Sequence, residues 1–345
     1  MSNITATEIV LPGRVEPEGL TVTDRELPPP AAGEALLRME ATGVSFAEQQ
    51  MRRGKYYDQP AFPFVPGYDV VGTVLEVGAG VDPALIGRRV AALTKIGGWS
   101  SHLTVQAGDL VPVPDGLAAD AAETFVVNGI TAWQMLHRNA KVRAGQTILV
   151  HGANGGVGST LVQLARAAGI RVIGTASARN AAAVAALGAE PVDYRGDVVA
   201  QVRALAPGGV DAVFDHVGGP GIVDSFELLA PGGTLVSYGS AATKNEEGAS
   251  RLPVLKLFAR LLWWNALPNN RNASFYNIWA GRRRLSRFRS RIAEDLGAVL
   301  ELAERGALHP QIAARIPLRE AARALTLAES GTVTGKVVLV GDTEA

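Results

Sequence analysis

The sequence predicts an α/β protein of two domains, a compact β-rich barrel followed by a doubly wound parallel sheet. Residues 1 to 124 hold short alternating apolar runs broken by glycine and proline, the mark of strands joined by tight turns. From about residue 120, runs rich in β-branched residues alternate with stretches at helical spacing, which gives parallel strands with crossover helices. Between one such strand and its helix stands Ala153-x-Gly155-x-x-Gly158. Glycines there let the backbone turn sharply and approach a pyrophosphate, whose charge meets the free N–H groups of a helix start. At 345 residues the chain has ample core for both domains.

In the first domain Ala35–Thr42 alternates along a strand, and Asp69–Val77, Arg89–Leu93 and Ser101–Val105 follow. Pro28 to Pro30, Gly67, Gly78, Gly80, Gly97 and Gly98 punctuate them. Ala118–Phe125 and Gly129–Arg138 read as helical. The second domain's predicted strands are Thr147–His151, Arg171–Thr175, Pro191–Tyr194, Ala212–Asp215 and Thr234–Tyr238, with a sixth at Ala273–Trp279. Helices are predicted at 158–169, 179–187, 197–205 and 220–229. A helix over Phe288–Arg305 and a final strand over Gly335–Val340 then return to the first domain. The predicted boundaries are 1–124 with 280–345 for the barrel domain, and 125–279 for the nucleotide domain with an apolar, basic insert at 242–271.

Composition narrows the chemistry. The net charge is zero, so nothing calls for nucleic acid, and with no cysteine the chain has no disulfide, thiol nucleophile or thiolate metal ligand. The N-terminus lacks the basic and apolar regions of a signal peptide, and no apolar run reaches about 20 residues, so the expectation is a cytoplasmic protein without a membrane span. Cofactor choice is legible at the end of the second parallel strand. Selection of NAD needs a carboxylate about 20 residues after the glycine turn, to hold the ribose 2′-OH. Here that strand ends Gly174-Thr-Ala-Ser-Ala-Arg-Asn180. Ser177 can donate to a phosphate and Arg179 offers a charged fork to one, so the reading is NADPH.

Several separated motifs carry a family resemblance. In order they are Gly43-Val-Ser-Phe-Ala-Glu-Gln-Gln-Met-Arg-Arg-Gly54, Pro66-Gly-Tyr-Asp-Val-Val-Gly-Thr-Val74, Asn128-Gly-Ile-Thr-Ala132, Val150-His-Gly-Ala-Asn-Gly-Gly-Val-Gly158, Asp215-His-Val-Gly-Gly219 and Thr334-Gly-Lys336. The chain resembles the zinc-independent branch of the medium-chain dehydrogenase/reductases, which holds quinone oxidoreductases of the zeta-crystallin type, enoyl reductases and the synaptic-vesicle membrane protein homologues. The resemblance implies a GroES-like β-barrel domain beside a Rossmann domain, a homodimer, and hydride transfer from NADPH to a small-molecule quinone or related conjugated carbonyl. Enoyl or alkenal double-bond reduction stays open, as does an NADPH-binding, membrane-associated accessory protein with little turnover. Zinc-dependent relatives place Cys where this chain has Gly43-Val-Ser45 and His-Glu where it has Tyr68-Asp69, so no metal is expected. Asp69, Glu48 and His102 are the remaining possible ligands, and no metal spacing links them.

The resemblance also assigns residues. Ala153, Asn154, Gly155, Gly156 and Val157 form the turn, Tyr194 lies near the adenosine phosphate, and Asn128 and Thr131 contact the cofactor. Val217, Tyr238, Gly239 and Ser240 fall at strand carboxyl ends, where ligands sit in such sheets, and Lys336 matches a position near the cofactor. Candidate general acids are Tyr56, Tyr57 and Tyr68, on loops of the first domain, with Ser45 close by where many members have Asn. His151 and His216 read as strand-end hydrogen bonders. Within the insert, 251–264 is an apolar helix bearing Lys256 and Arg260, and no acid occurs from 251 to 291. Such a helix fits a cleft lid, a dimer seam or a peripheral membrane contact.

Overall fold

The computed structural model describes residues 4–239 and 252–341. The chain divides into two compact units, residues 1–130 with 283–345, and residues 131–282. The first unit opens with a hairpin of β1 (Ile4–Val10) and β2 (Thr21–Leu27), then β3 (Glu34–Val44), α1 (Phe46–Arg52), β4 (Asp69–Val77), β5 (Arg89–Leu93), β6 (His102–Gln106), β7 (Val111–Pro112) and α2 (Ala119–Glu123). Helix α3 (Val126–Trp133) runs on into a π-helical stretch, Gln134–Ala140, so the region predicted as one helix changes its winding after Trp133.

β3 organises this unit because it is long enough to hold three neighbours. Its residues 34–38 pair with β6, residues 35–41 with β4 on the other edge, and residues 41–44 with the closing strand β15 (Lys336–Val340). The sheet order is β14-β15-β3-β4-β5-β7, with β14 spanning Ile312–Pro317. Helices α9 (Leu285–Glu304) and α10 (Ala321–Glu329) belong to the same returning segment. Leu37, Val70, Val74, Val90, Val337 and Leu339 fill the core with Trp99, whose indole N–H donates to Gly43 O at 2.9 Å. That bond satisfies the one polar atom of a fully buried ring.

The second unit is a six-stranded parallel sheet in the order β10-β9-β8-β11-β12-β13. Its elements are β8 (Thr147–Val150), α4 (Gly156–Ala167), β9 (Arg171–Ala176), α5 (Ala181–Leu187), β10 (Glu190–Asp193), α6 (Val198–Leu205), β11 (Val210–Asp215), α7 (Ile222–Glu227), β12 (Leu229–Ser237), α8 (Leu252–Ala266) and β13 (Asn272–Phe275). β8 and β11 sit centrally, and their Ile148, Leu149, Val213 and Phe214 are fully buried, which is why residues 148–150 and 212–214 read as short apolar runs. Strand order reverses between them. In a sheet of this kind the ligand crevice opens beyond the carboxyl ends at that reversal.

Two element expectations needed correction. The sixth strand stops at Phe275 because Asn277 takes over the backbone, its Oδ1 accepting Trp279 N–H at 2.9 Å. The helix predicted at 220–229 is shortened to α7, since Leu229 already pairs with Val210 in the sheet. Among the described residues no helix is long and apolar enough to cross a membrane.

Candidate functional site

Beyond the carboxyl end of β8 the chain makes a turn, Gly152 to Gly155, and enters α4. Gly155 caps that helix with no side-chain partner, so the first N–H groups keep their donor capacity. Gly158 sits where a Cβ would stand 2.1 Å from Gly152 O, so only glycine lets the helix start lie this close to the turn. Ala153 is buried and its N–H donates to Thr175 O at 2.9 Å, which ties the turn to β9.

β9 ends at Ser177, which is 3% exposed and whose hydroxyl has no hydrogen-bond partner among the described residues. A buried hydroxyl left without a partner is costly unless a ligand completes it. Arg179 is exposed one residue beyond Ala178. Tyr194 follows β10 and stays beside the same strand end, its N–H donating to Ala176 O at 3.2 Å; its ring is 54% exposed, with the Arg195 guanidinium 5.8 Å above it. Asp193, the residue before Tyr194, accepts Arg195 N–H at 3.0 Å. This donor set fits a 2′-phosphate and offers a 2′-hydroxyl no carboxylate.

At the ends of β11 and β12 lie Val217, Tyr238 and Gly239. Asp215 Oδ1 accepts Val217 N–H at 2.7 Å and Gly218 N–H at 2.8 Å, and Tyr238 N–H donates to Asp215 O at 2.9 Å. Ser240 lies outside the described residues. His151 bonds Ser225 through Nε2 (3.0 Å), as a strand-end hydrogen bonder would, whereas His216 Nδ1 is buried with no partner among the described residues. Burial pushes both imidazoles below their ordinary value.

In the first unit Ser45 and Tyr68 both bond a residue that sequence reading considered only as a metal ligand, Glu48, and Tyr56 and Tyr57 join them through Tyr68. Ser45 is the N-cap of α1: its Oγ accepts Ala47 N–H at 3.1 Å and donates to Glu48, while its N–H donates to Glu48 Oε2 at 2.9 Å. Glu48 Oε1 accepts Tyr68 N–H at 2.7 Å. Ser-x-x-Glu is the capping-box spacing, so the pair was legible as a helix start. Burial raises the Glu48 pKa, with the Asp69 charge adding to it and Ser45 opposing. The Tyr68 and Tyr56 hydroxyls are 2.7 Å apart with their rings edge to face, and Tyr57 packs on Tyr56 at 4.6 Å. Burial, then the neighbouring Tyr68, pushes the Tyr56 hydroxyl above its ordinary value. It therefore keeps its proton at neutral pH.

Lys336 is fully buried between two carboxylates. Its ammonium donates to Asp69 Oδ2 at 2.8 Å and to Glu123, and Asp69 Oδ2 also accepts Val127 N–H at 3.0 Å. Burial alone would lower the lysine pKa, but the two acids hold it above the ordinary value. Gly43 leaves room for this group: a Cβ there would stand 2.2 Å from Lys336 Cε, so the lysine side chain would have to move. Asn128, next to Val127, donates to Thr124 O at 3.1 Å, and Thr131 lies one turn on along α3. The three possible metal ligands are thus otherwise engaged, Asp69 and Glu48 as above and His102 Nδ1 with Ser101 Oγ at 3.2 Å. Among the described residues no group of His, Asp and Glu is arranged to hold an ion.

Family models match the chain in two places, a zinc-binding dehydrogenase over residues 187–339 and an alcohol dehydrogenase GroES-like domain over residues 31–115. The synaptic vesicle membrane protein VAT-1 homolog of Homo sapiens is 32% identical over 91% of this chain and 80% of its own length. The chain belongs to the medium-chain dehydrogenase/reductases, in the zeta-crystallin-like branch. A quinone oxidoreductase of Pseudomonas syringae superposes on this member of the branch with a TM-score of 0.83 at 27% identity, over 97% of this chain and 99% of its own. A mycobacterial structure complexed with NADPH gives 0.81 at 29% identity, over 97% and 99%. The first family model is named for a metal that members of this branch do without, and this member has no thiolate to offer one.

Proposed function

We propose that the chain is an NADPH-dependent, metal-free reductase that delivers hydride to a quinone or a related conjugated carbonyl. One observation carries the reading furthest: β9 is followed by Ser177, whose hydroxyl has no hydrogen-bond partner among the described residues, and by Arg179, with no carboxylate between them, beside a glycine turn without a side-chain cap. The N–H groups of Gly156 and Val157 meet a pyrophosphate, Ser177 and Arg179 a 2′-phosphate, and Tyr194 packs near the adenosine end. Asn128, Thr131, Val217, Tyr238, Gly239, Ser240 and Lys336 serve the nicotinamide side. Bound NADPH supplies the hydride; the protein orients it and handles the proton. In this reading the Tyr56–Tyr68 pair is the proton donor to the reduced acceptor, a role supported by their hydroxyl contact, with Ser45 and Glu48 bracing the Tyr68 backbone.

The test follows NADPH oxidation over quinones, enals and enoyl thioesters, with each product identified. Quinone turnover supports the reading, turnover of enals or thioesters alone replaces it with double-bond reduction, and tight NADPH binding with no turnover supports an accessory role. Arg179→Ala is expected to erode the preference for NADPH over NADH by about tenfold or more, the scale of one charged hydrogen bond. An unchanged preference would remove Arg179 from the site.

A second observation favours contact with a membrane surface. The inner face of α8 packs through Leu257, Leu261 and Trp264, the last stacked on Phe226 at 4.2 Å. Its outer face is apolar as well, with Leu255 62% and Leu262 71% exposed beside Phe258 and Trp263, and Lys256 and Arg260 flank it. An amphipathic surface of this kind suits an anionic bilayer. Co-sedimentation with anionic and neutral liposomes, for the wild type and for Leu262→Gln with Trp263→Gln, decides between that contact and a dimer seam read by sedimentation velocity.

A further inference from the structure

Four side chains beneath the strand ends of the second unit form a single chain of hydrogen bonds. Gly152 N–H donates to Thr175 Oγ1 at 3.0 Å. The Thr175 hydroxyl lies 3.4 Å from His151 Nδ1, His151 Nε2 lies 3.0 Å from Ser225 Oγ, and the Ser225 hydroxyl donates to Asp215 Oδ2 at 2.7 Å. The donor order follows from the ends. Asp215 only accepts, so the Ser225 hydrogen is committed to it and His151 Nε2 must carry a proton to bond Ser225. His151 Nδ1 is then the acceptor that the Thr175 hydrogen faces. Every link points the same way, and links so aligned polarise one another.

The two ends of this chain are the two backbone segments that flank the strand-order reversal. Gly152 opens the glycine turn after β8. Asp215 uses its second oxygen to hold Val217 N–H and Gly218 N–H after β11. We propose that His151, as its Nε2-protonated tautomer, is a positioning residue that locks the glycine turn to the Val217–Gly218 loop, so that both ends of the dinucleotide are gripped as one unit. The proposal rests on the NADPH reading and adds to it a coupling that neither segment has alone.

A second proton on His151 would reverse the Thr175 link. Burial keeps it off, the Asp215 charge opposing, and the groups facing this imidazole pair are Asp215, His216 and Tyr238. The His216 ring lies against Gly152, where a Cβ would stand 2.5 Å from its Cε1.

Thr175→Val and Ser225→Ala cut the chain on either side of His151. Each is expected to weaken NADPH binding about tenfold, and the double variant also about tenfold, because a second cut in a broken chain removes nothing more. Independent losses multiplying to about a hundredfold would overturn the coupling. His151→Gln keeps a donor toward Ser225 but cannot titrate, so the wild-type dissociation constant should rise more steeply than the variant's as pH falls below the ordinary imidazole value. The 2′-phosphate titrates in both proteins and cancels, and making the comparison in a His216→Gln background removes the second imidazole, whose titration His151 influences. Parallel pH profiles would reduce His151 to a merely structural residue, as would variants that lose melting temperature while keeping NADPH affinity. A wild type that binds no NADPH fails the cofactor reading itself, an outcome distinct from binding with independent losses.

Discussion

Glu123, Asp69 and Lys336 set two buried carboxylates against one buried ammonium, and the charges cannot all balance. Asp69 Oδ2 accepts the ammonium and a backbone N–H, Glu123 Oε1 accepts the ammonium, and among the described residues Asp69 Oδ1 and Glu123 Oε2 are both buried without a hydrogen-bond partner. Burial raises the Glu123 pKa well above its ordinary 4.5, Lys336 opposing and Asp69 adding to the rise. The proton therefore stays on Glu123 in the folded state after the unfolded chain has lost it. Above pH 4.5 Glu123 binds more proton in the folded state than in the unfolded one, so its contribution to stability falls as pH rises, by up to about 1.4 kcal/mol per unit until it ionises. Glu123→Gln mimics the protonated acid and removes this slope. Urea midpoints from pH 5 to pH 8 should show the variant gaining on the wild type as pH rises. A constant difference would mean that Glu123 is ionised throughout. None of this was legible in the sequence: Glu123 reads as a helix-surface acid, and Lys336 stands at the mouth of an apolar strand with nothing to announce its two partners from residues 69 and 123.

Element by element, legibility followed burial. Strands with buried apolar centres, β8, β11, β4 and β5, were read within a residue or two of their ends. The β1–β2 hairpin was missed because the first six residues of β2 are all exposed, which erases any alternation. Helix α1 was missed for the opposite reason: Glu48, Gln49, Gln50 and Arg52 are polar yet buried, their partners supplied by distant segments such as Glu329 and Tyr68. The glycine turn was legible because its constraint is local. That constraint gives a sharp expectation for Gly158→Ala. The new Cβ would meet Gly152 O at 2.1 Å, and the obstacle is backbone, so α4 must shift away from the turn. Overpacking of this kind costs about 1–3 kcal/mol. NADPH affinity should fall by more than the stability loss explains, since the same shift moves the N–H groups of Gly156 and Val157. Titration of folded variant protein checks it, and unchanged affinity would mean that α4 does not hold the pyrophosphate.

Across the whole molecule, the residues we propose for the cofactor are drawn from both units, Asn128 and Lys336 from the first and the glycine turn, Ser177 and Val217 from the second, and that proposal can be tested unit by unit. The fold class was legible because each unit repeats one period, alternation in the first and strand-then-helix in the second. The Asp69–Lys336–Glu123 group was not, because it joins residues brought together only when β15 pairs with β3. If both units hold NADPH, binding must slow local opening in both. With free ligand at a hundred times its dissociation constant, stabilisation is about 2.7 kcal/mol, a roughly hundredfold slowing for amides that exchange only through an open state unable to bind. Hydrogen exchange with NADPH should therefore protect residues 152–158 and 217–218 together with 126–133 and 336–340. NADH at the same concentration should protect the same segments less, in proportion to its weaker binding. Protection confined to residues 131–282 would assign the cofactor to the second unit alone and return Asn128 and Lys336 to purely structural duty.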